Sequence, residues 1–417
     1  MRLNEEMNPA FATDLPGTLD AIPHARLLPE KNTVDWYFVV VVSVLAAVGL
    51  VMVFSASITQ SEGSIEKTLI YGRNQSMFLA LGVCAGAIVW RIPLSVWERL
   101  GPLLLVGVFA ALVLVLIPGI GTNVNGSQRW IRFGVSVQPS EMYKVAVIIF
   151  MAAFFVRKGE QIRTRLGVFL TPLGIAAMSA IVLLLEPDFG ATVVVTATIV
   201  AMMFIAGVRF VHLLAVSAVL VPAAIAAILM SPYRKTRLFS FLNPWDDPFD
   251  TDFQLTQSLI AVGRGSWDGV GLGSSVQKMA YLPEAHTDFV FAVMAEETGL
   301  IGVTLVIGLF ALIVMRCFRI ARNAERVGHD FGAHLATGIG FWFGLQTFIN
   351  IGSNMGILPT KGIPLPLFSY GGSSMIMVCV ACALVLRVSR ESSEQMAQDF
   401  SRAVARRLEA LEVARRD

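Results

Sequence analysis

Ten apolar runs, each close to the length that a helix needs to cross a bilayer, follow one another between residues 36 and 388 of this chain. A spanning helix takes about 20 such residues, and within hydrocarbon every backbone polar group must be satisfied internally. The runs lie at roughly 36–56, 75–93, 100–117, 139–156, 168–185, 190–208, 211–230, 289–315, 333–352 and 371–388. Composition excludes an ordinary soluble domain: 55% of the 417 residues are hydrophobic, 15% are charged, and the mean hydropathy is +0.68. The expected fold is an all-α integral membrane protein with ten transmembrane helices and a large extracytoplasmic loop, 231–288, between helices 7 and 8.

An even number of spans puts both ends on one side, and the basic residues say which. With the termini inside, 21 of the 32 Lys and Arg residues fall on the cytoplasmic face and 11 on the other, as the positive-inside bias requires. The chain then divides into a polar N-terminal tail, 1–34, expected to be disordered and without a cleavable signal; a membrane domain, 35–390; and a C-terminal tail, 391–417. That last segment sets Met396, Phe400, Val404, Leu408 and Leu411 on one helical face, an amphipathic pattern suited to a membrane surface or a partner. Cys84, Cys317, Cys379 and Cys382 sit in apolar segments without ligand spacing, so neither a disulfide nor a structural zinc is expected. A net charge of +2 offers no basic footprint for nucleic acid.

The polar residues that interrupt this oily body collect at outer helix ends. Glu141 and Lys144 lie three apart at the head of the fourth span, on one face and able to pair. Glu186 and Asp188 flank Pro187 in a tight outer turn, and Arg129-Trp130-Ile131-Arg132 alternates charge with apolar bulk in the loop before the fourth span. The segment Tyr281-Leu-Pro-Glu-Ala-His-Thr-Asp288 feeds directly into the eighth span. Thr287 reads there as an N-cap and Asp288 as a first-turn acid. The last outer connection, 354–374, is apolar yet broken by prolines and glycines. Such backbone survives at membrane depth only where protein covers it or it lines a cavity, so it reads as a re-entrant wall.

Carboxylates beside cations, at the edge of a lipid phase, suit a lipid-linked sugar phosphate. Glycosyl transfer with a pyrophosphate leaving group needs a base for the acceptor hydroxyl and positive charge for the departing anion. Asp288 is the candidate base, which requires a carboxyl raised from its usual value of about 4. His286 either assists it or serves structure, and the same acids are candidate ligands for Mg²⁺ or Mn²⁺.

These residues resemble the SEDS proteins of bacterial shape, elongation, division and sporulation over about 35–390. The resemblance rests on Arg129-Trp130 with Gln138-Pro-Ser-Glu-x-x-Lys144, on Pro187-Asp-x-Gly190, and on Tyr281-Leu-Pro-Glu-Ala-His-Thr-Asp-Phe289 with Ala295-Glu-Glu297. It is completed by Leu358-Pro-Thr-Lys-Gly362 with Ser369-Tyr-Gly-Gly-Ser-Ser374. Gly273-Ser-Ser-Val-Gln-Lys278 and the polar leader resemble the division branch more than the rod-elongation branch. The resemblance implies a ten-span peptidoglycan glycosyltransferase that polymerises lipid II on the outer face of the cytoplasmic membrane, carrying the chain on undecaprenyl pyrophosphate. It also implies a class B penicillin-binding protein and its regulatory division proteins as partners. By similarity Asp288 is the essential acid of the large outer loop, Trp130 the functional aromatic of the first large loop, and Glu141 with Lys144 the charged pair of the fourth span; the candidate substrate-binding residues are Trp130, Arg129, Glu141, Lys144, Glu284, His286, Lys361 and Ser369. A lipid II flippase and a non-catalytic scaffold of the division machinery are the alternative functions.

Overall fold

The computed structural model describes residues 34–57, 65–124, 127–133, 135–162, 164–230, 235, 241, 243–246, 253–279, 282, 284–360 and 362–416. The expected leader, most of 231–252 including Arg234 and Arg237, and Lys361 lie outside the described residues. Helices α1 (Trp36–Ser57), α2 (Ile65–Arg91) and α3 (Leu94–Val115) precede a small sheet of β1 (Gly121–Val124), β2 (Ser127–Phe133) and β3 (Val135–Val137). Then come α4 (Pro139–Ile162), α5 (Leu166–Leu185), α6 (Phe189–Ile205) and α7 (Phe210–Leu229). A short α8 (Phe253–Gly265) is followed by α9 (Val290–Arg326), α10 (Asp330–Asn354) and α11 (Gly372–Arg416).

Each apolar run of the sequence thus falls on helix, the eighth on α9, which Gly299 divides into two helical stretches. By length and composition, six of the described helices are apolar enough to cross a membrane: α1, α3, α4, α5, α9 and α11. Helix α10 carries Gln346 and Asn350 at 0% and 1% exposure, so its polar residues point into the protein and lower its mean hydropathy without facing lipid. The layers follow from burial. In α4, 78% of the apolar stretch is covered, against 17% in α3, so α4 is central and α3 peripheral. Trp342, Phe343, Leu335 and Ile339 of α10 complete the centre.

Small residues set the close contacts, as they do where lipid supplies no hydrophobic drive between helices. A Cβ on Gly82 of α2 would lie 2.9 Å from the Cys379 sulfur of α11, and one on Gly49 of α1 would lie 2.6 Å from the Leu367 carbonyl oxygen. Asp35 at the start of α1 binds Arg316 through both carboxylate oxygens at 2.7 Å. The head of α1 and the basic end of α9 therefore share a face, as the charge asymmetry demands.

Three features depart from the sequence reading. The alternation around Trp130 is a strand: β2 pairs antiparallel with β1 and β3, with Trp130 opposite Thr122 and Arg132 opposite Ser136. Period-two alternation is the signature of a half-buried strand, and here the turn-rich flanks close it into a meander. Helix α2 begins ten residues before the expected span, at Ile65, taking in the polar run Tyr71-Gly-Arg-Asn-Gln75. Helix α9 begins at Val290, so Thr287 is not its cap and Asp288 precedes it.

The described residues of the re-entrant segment, 355–360 and 362–371, are non-helical, and its second half is buried, with Ile363, Leu365, Leu367 and Phe368 at most 4% exposed. Helix α11 then runs unbroken through residue 391, so the C-terminal tail is its extension.

Candidate active site

The position of Asp288 is set by two asparagines one turn apart on α10. Asn350 and Asn354 each donate a side-chain N–H to the Asp288 carbonyl, at 3.2 and 3.0 Å. A helix that included Asp288 would spend that carbonyl on the N–H of Ala292. Instead the Asn354 Oδ1 accepts from Ala292 at 3.3 Å, so one amide satisfies both groups that the late helix start leaves open. Upstream, Glu284 adopts a left-handed backbone (φ 58°), and its carbonyl accepts from Thr287 N–H at 3.1 Å. The exposed Glu284 carboxylate takes the Thr287 hydroxyl at 2.8 Å. The result is a tight turn, 284–289, that presents a half-buried Asp288 beside the re-entrant segment. A Cβ on Gly362 would stand 3.2 Å from Asp288 Oδ2, so the glycine makes room for the carboxylate.

That segment is where the other candidates meet. Its carbonyls at Ile363 and Pro364 accept from Asn350 and Gln346, both at 2.7 Å. Gln346 in turn accepts from Lys144 at 3.0 Å and from the Trp342 indole at 2.6 Å. Lys144 pairs with Glu141 at 2.8 Å and lies 5.2 Å from the Trp342 ring centre, so the charge pair expected from the sequence is present and buried. Tyr370 N–H donates to the His286 carbonyl at 2.9 Å, and the His286 ring packs 4.7 Å from Tyr71 and 5.4 Å from Tyr370. Burial holds the His286 imidazole below its usual pKa, against a weaker pull upward from Glu284. Ser369 is buried, and its hydroxyl accepts from Leu365 N–H at 2.8 Å, closing a turn inside the segment.

Arg129 and Trp130 stand on β2. The Arg129 guanidinium donates to the carbonyls of Glu186 and Pro187, fastening the sheet to the α5–α6 turn. Both Glu186 carboxylate oxygens are buried without a hydrogen-bond partner, and desolvation, then Asp188, push this carboxyl up to about 8 against the pull of Arg129.

The sequence reading missed the outer end of α2. Gln75, fully buried, donates to the Ser369 carbonyl at 3.0 Å and accepts from Gly371 N–H at 3.3 Å, pinning the re-entrant segment from the opposite side to α10. Tyr71 belongs to the ring cluster, and the Asn74 side chain bonds Tyr370. Their signal was a polar run, Tyr71 to Gln75, at the head of an otherwise apolar span.

Divalent metal needs convergent oxygen ligands. Among the described residues no three His, Cys, Asp or Glu side chains come together, so an Mg²⁺ or Mn²⁺ here would be held by one or two carboxylates together with phosphate oxygens of a substrate. What does converge on the re-entrant segment is the turn that bears Asp288, through the His286 carbonyl, an aromatic cluster that includes Tyr370, and a buried charge pair that reaches it through Gln346.

The FtsW, RodA and SpoVE family, described as "Cell cycle protein", matches residues 35–394. The chain is 51% identical over 360 residues to the "Probable peptidoglycan glycosyltransferase FtsW" of Nitrosococcus halophilus, covering 86% of this chain and 92% of that one. It is 46% identical over 371 residues to the protein of the same name from Coxiella burnetii, covering 88% and 100%. Among solved structures it resembles a chain described under "Structural coordination of polymerization and crosslinking by a peptidoglycan synthase complex". The TM-score is 0.70 at 28% identity, over 86% of this chain and 98% of that one. It also resembles the rod shape determining protein RodA of Thermus thermophilus, with a TM-score of 0.63 at 26% identity, over 86% and 97%.

Proposed function

We propose a function for this chain on the premise that it belongs to the FtsW, RodA and SpoVE family: it is a multi-pass membrane protein and a peptidoglycan glycosyltransferase. Its substrates are lipid II and a glycan chain on undecaprenyl pyrophosphate, joined on the outer face of the cytoplasmic membrane during septal wall synthesis. Its partner is a class B penicillin-binding protein, a reading supported by the likeness to a chain of a polymerising and crosslinking synthase complex.

The observation that carries the chemistry is the convergence on 362–371. Asp288 stands beside Gly362, on a turn locked by Asn350 and Asn354, where a base must be fixed in place. Its carboxylate takes the proton of the acceptor sugar hydroxyl. As that proton leaves, the hydroxyl oxygen bonds to the anomeric carbon, the bond from that carbon to the pyrophosphate oxygen breaks, and configuration inverts. Undecaprenyl pyrophosphate departs with the electron pair, stabilised by cationic side chains of the outer face, for which Arg129 and Lys361 are the candidates. Glu141 and Lys144 act from behind through Gln346, holding the backbone that Asp288 faces.

The test is polymerisation of lipid II by the purified chain with its penicillin-binding partner. Asp288→Asn removes the base and leaves the shape, and a fall of at least 100-fold in rate is expected. Undiminished polymer rejects the assignment.

A further inference from the structure

A second buried charge pair lies away from the Glu141–Lys144 relay. Lys278, 2% exposed, sits in the loop ten residues before Asp288, and its ammonium reaches Glu297 Oε1 at 2.7 Å and the Ser55 hydroxyl at 3.0 Å. Ser55 donates in turn to both Glu297 oxygens at 2.7 Å. Glu296, next along α9, accepts from the Ser275 hydroxyl and from the N–H groups of Val276 and Gln277, at 2.5, 3.1 and 3.2 Å. Two adjacent carboxylates thereby capture residues 275–278.

The helix gives up its own continuity at this point. Gly299 has φ 63°, so the carbonyls of Glu296 and Glu297 receive the N–H groups of Val270 and Gly271 at 3.0 and 3.1 Å, while Leu300 and Ile301 donate back to Ser266 and Trp267. The close approach allows no side chain at residue 269, where a Cβ would lie 2.2 Å from the Glu297 carbonyl oxygen.

We infer that Lys278 and Glu297, with Ser55 of α1, form a clamp that positions the turn bearing Asp288, making both positioning residues for the transfer reaction. Two tethers are needed to fix a turn. Asn350 and Asn354 hold its downstream end, and this pair holds the loop at residue 278, upstream of it. An ion pair with no water around it rarely stabilises a fold better than apolar side chains of equal size, and its attested use is to specify one register among alternatives. Residues 275–279, 282 and 284–289 have that need, because they lie outside helix and sheet, so neither dictates their place. The inference rests on the proposed glycosyl transfer for its kinetic arm alone.

The experiment uses the full chain with its penicillin-binding partner in liposomes, in a Cys84→Ser background, and takes two readouts. One is the rate at which a membrane-impermeant maleimide labels the chain carrying Thr287→Cys, in the turn itself. The other is kcat and KM for lipid II. Lys278→Met is expected to speed labelling at least five-fold and to lower kcat at least ten-fold with KM within two-fold of the parent. Lys278→Arg, which keeps the charge and the reach, is expected to restore both. Ser55→Ala, which removes a neutral hydrogen bond and leaves the pair, is expected to shift both readouts by a smaller factor, and it serves as the test if Lys278→Met does not fold. Labelling of folded Lys278→Met at the parental rate, or of Ser55→Ala where that chain is the test, overturns the clamp. So does failure of Lys278→Arg to restore what Lys278→Met loses. If the parent makes no polymer, the proposed function fails, while the labelling rates still decide the clamp.

Discussion

Asn354 offers the sharpest lever on the candidate site, because one buried amide there resolves two conflicts at once. Its Nδ2 donates to the Asp288 carbonyl at 3.0 Å, and its Oδ1 accepts from Ala292 N–H at 3.3 Å, with the residue 1% exposed. Asn354→Leu keeps the volume and removes both. The Ala292 donor is left buried and unpaired, which costs about 1–3 kcal/mol, and the lost bond to Asp288, still held by Asn350, adds about 1 kcal/mol. A destabilisation of about 2–4 kcal/mol is expected by thermal or denaturant unfolding in detergent. The consequence for catalysis is larger. Relaxation recovers part of that cost when Ala292 N–H bonds the Asp288 carbonyl instead, and this draws Asp288 into the helix. A displacement near 1 Å at a catalytic group costs about 100-fold in rate. Asn354→Asp separates the two effects: it keeps the acceptor for Ala292 and turns an acceptor against the Asp288 carbonyl. It should therefore polymerise as slowly as Asn354→Leu. Parental rates from either folded variant would refute this account of how Asp288 is placed.

Lys144→Met strands the buried Glu141 carboxylate and should cost about 3–5 kcal/mol of stability, while the double change Glu141→Gln with Lys144→Met recovers most of that stability, as unfolding midpoints will show. Gly362→Ala pushes a methyl to 3.2 Å from Asp288 Oδ2, so it should lower kcat about ten-fold with little change in KM or melting temperature. Glu186 predicts a pH dependence of stability. Its folded pKa, about 8, stands above the ordinary 4.5, so its contribution is fully present below pH 4.5 and is lost as pH rises to about 8. Glu186→Gln should therefore raise the melting temperature at pH 8.5 relative to the parent and leave it unchanged at pH 4.5.

Helices surfaced readily in the sequence because lipid demands long uninterrupted apolar runs, and the re-entrant wall surfaced because its prolines and glycines violate that demand. Glu141 and Lys144 were legible as a pair because three residues on a helix bring two side chains to one face. Other features depend on contacts that no local pattern records. The late start of α9 is decided by Asn354, 66 residues from Asp288. Its kink at Gly299, just after Glu296-Glu297-Thr298, is set by the loop around Gly269. Tyr71 and Asn74 fell outside the expected second span, and Gln75 stood only at its first position, because a polar run reads as loop, whereas in the folded chain Gln75 is the buried partner of Ser369 and Gly371. Glu296 and Glu297 were visible as charges at an outer helix end, but Lys278, 19 residues upstream of Glu297, carries no spacing signal that ties it to them.

The central claim is that Asp288 and the re-entrant segment form one substrate site on the outer rim of the membrane domain. Side-specific labelling of Glu284→Cys, at an exposed position in the same turn, with and without lipid II, tests it most directly. The account predicts that an impermeant maleimide labels this chain from the outer face of intact cells and that lipid II slows the reaction in liposomes at least five-fold. Labelling only after the inner face is exposed, or at a rate indifferent to lipid II, would contradict it.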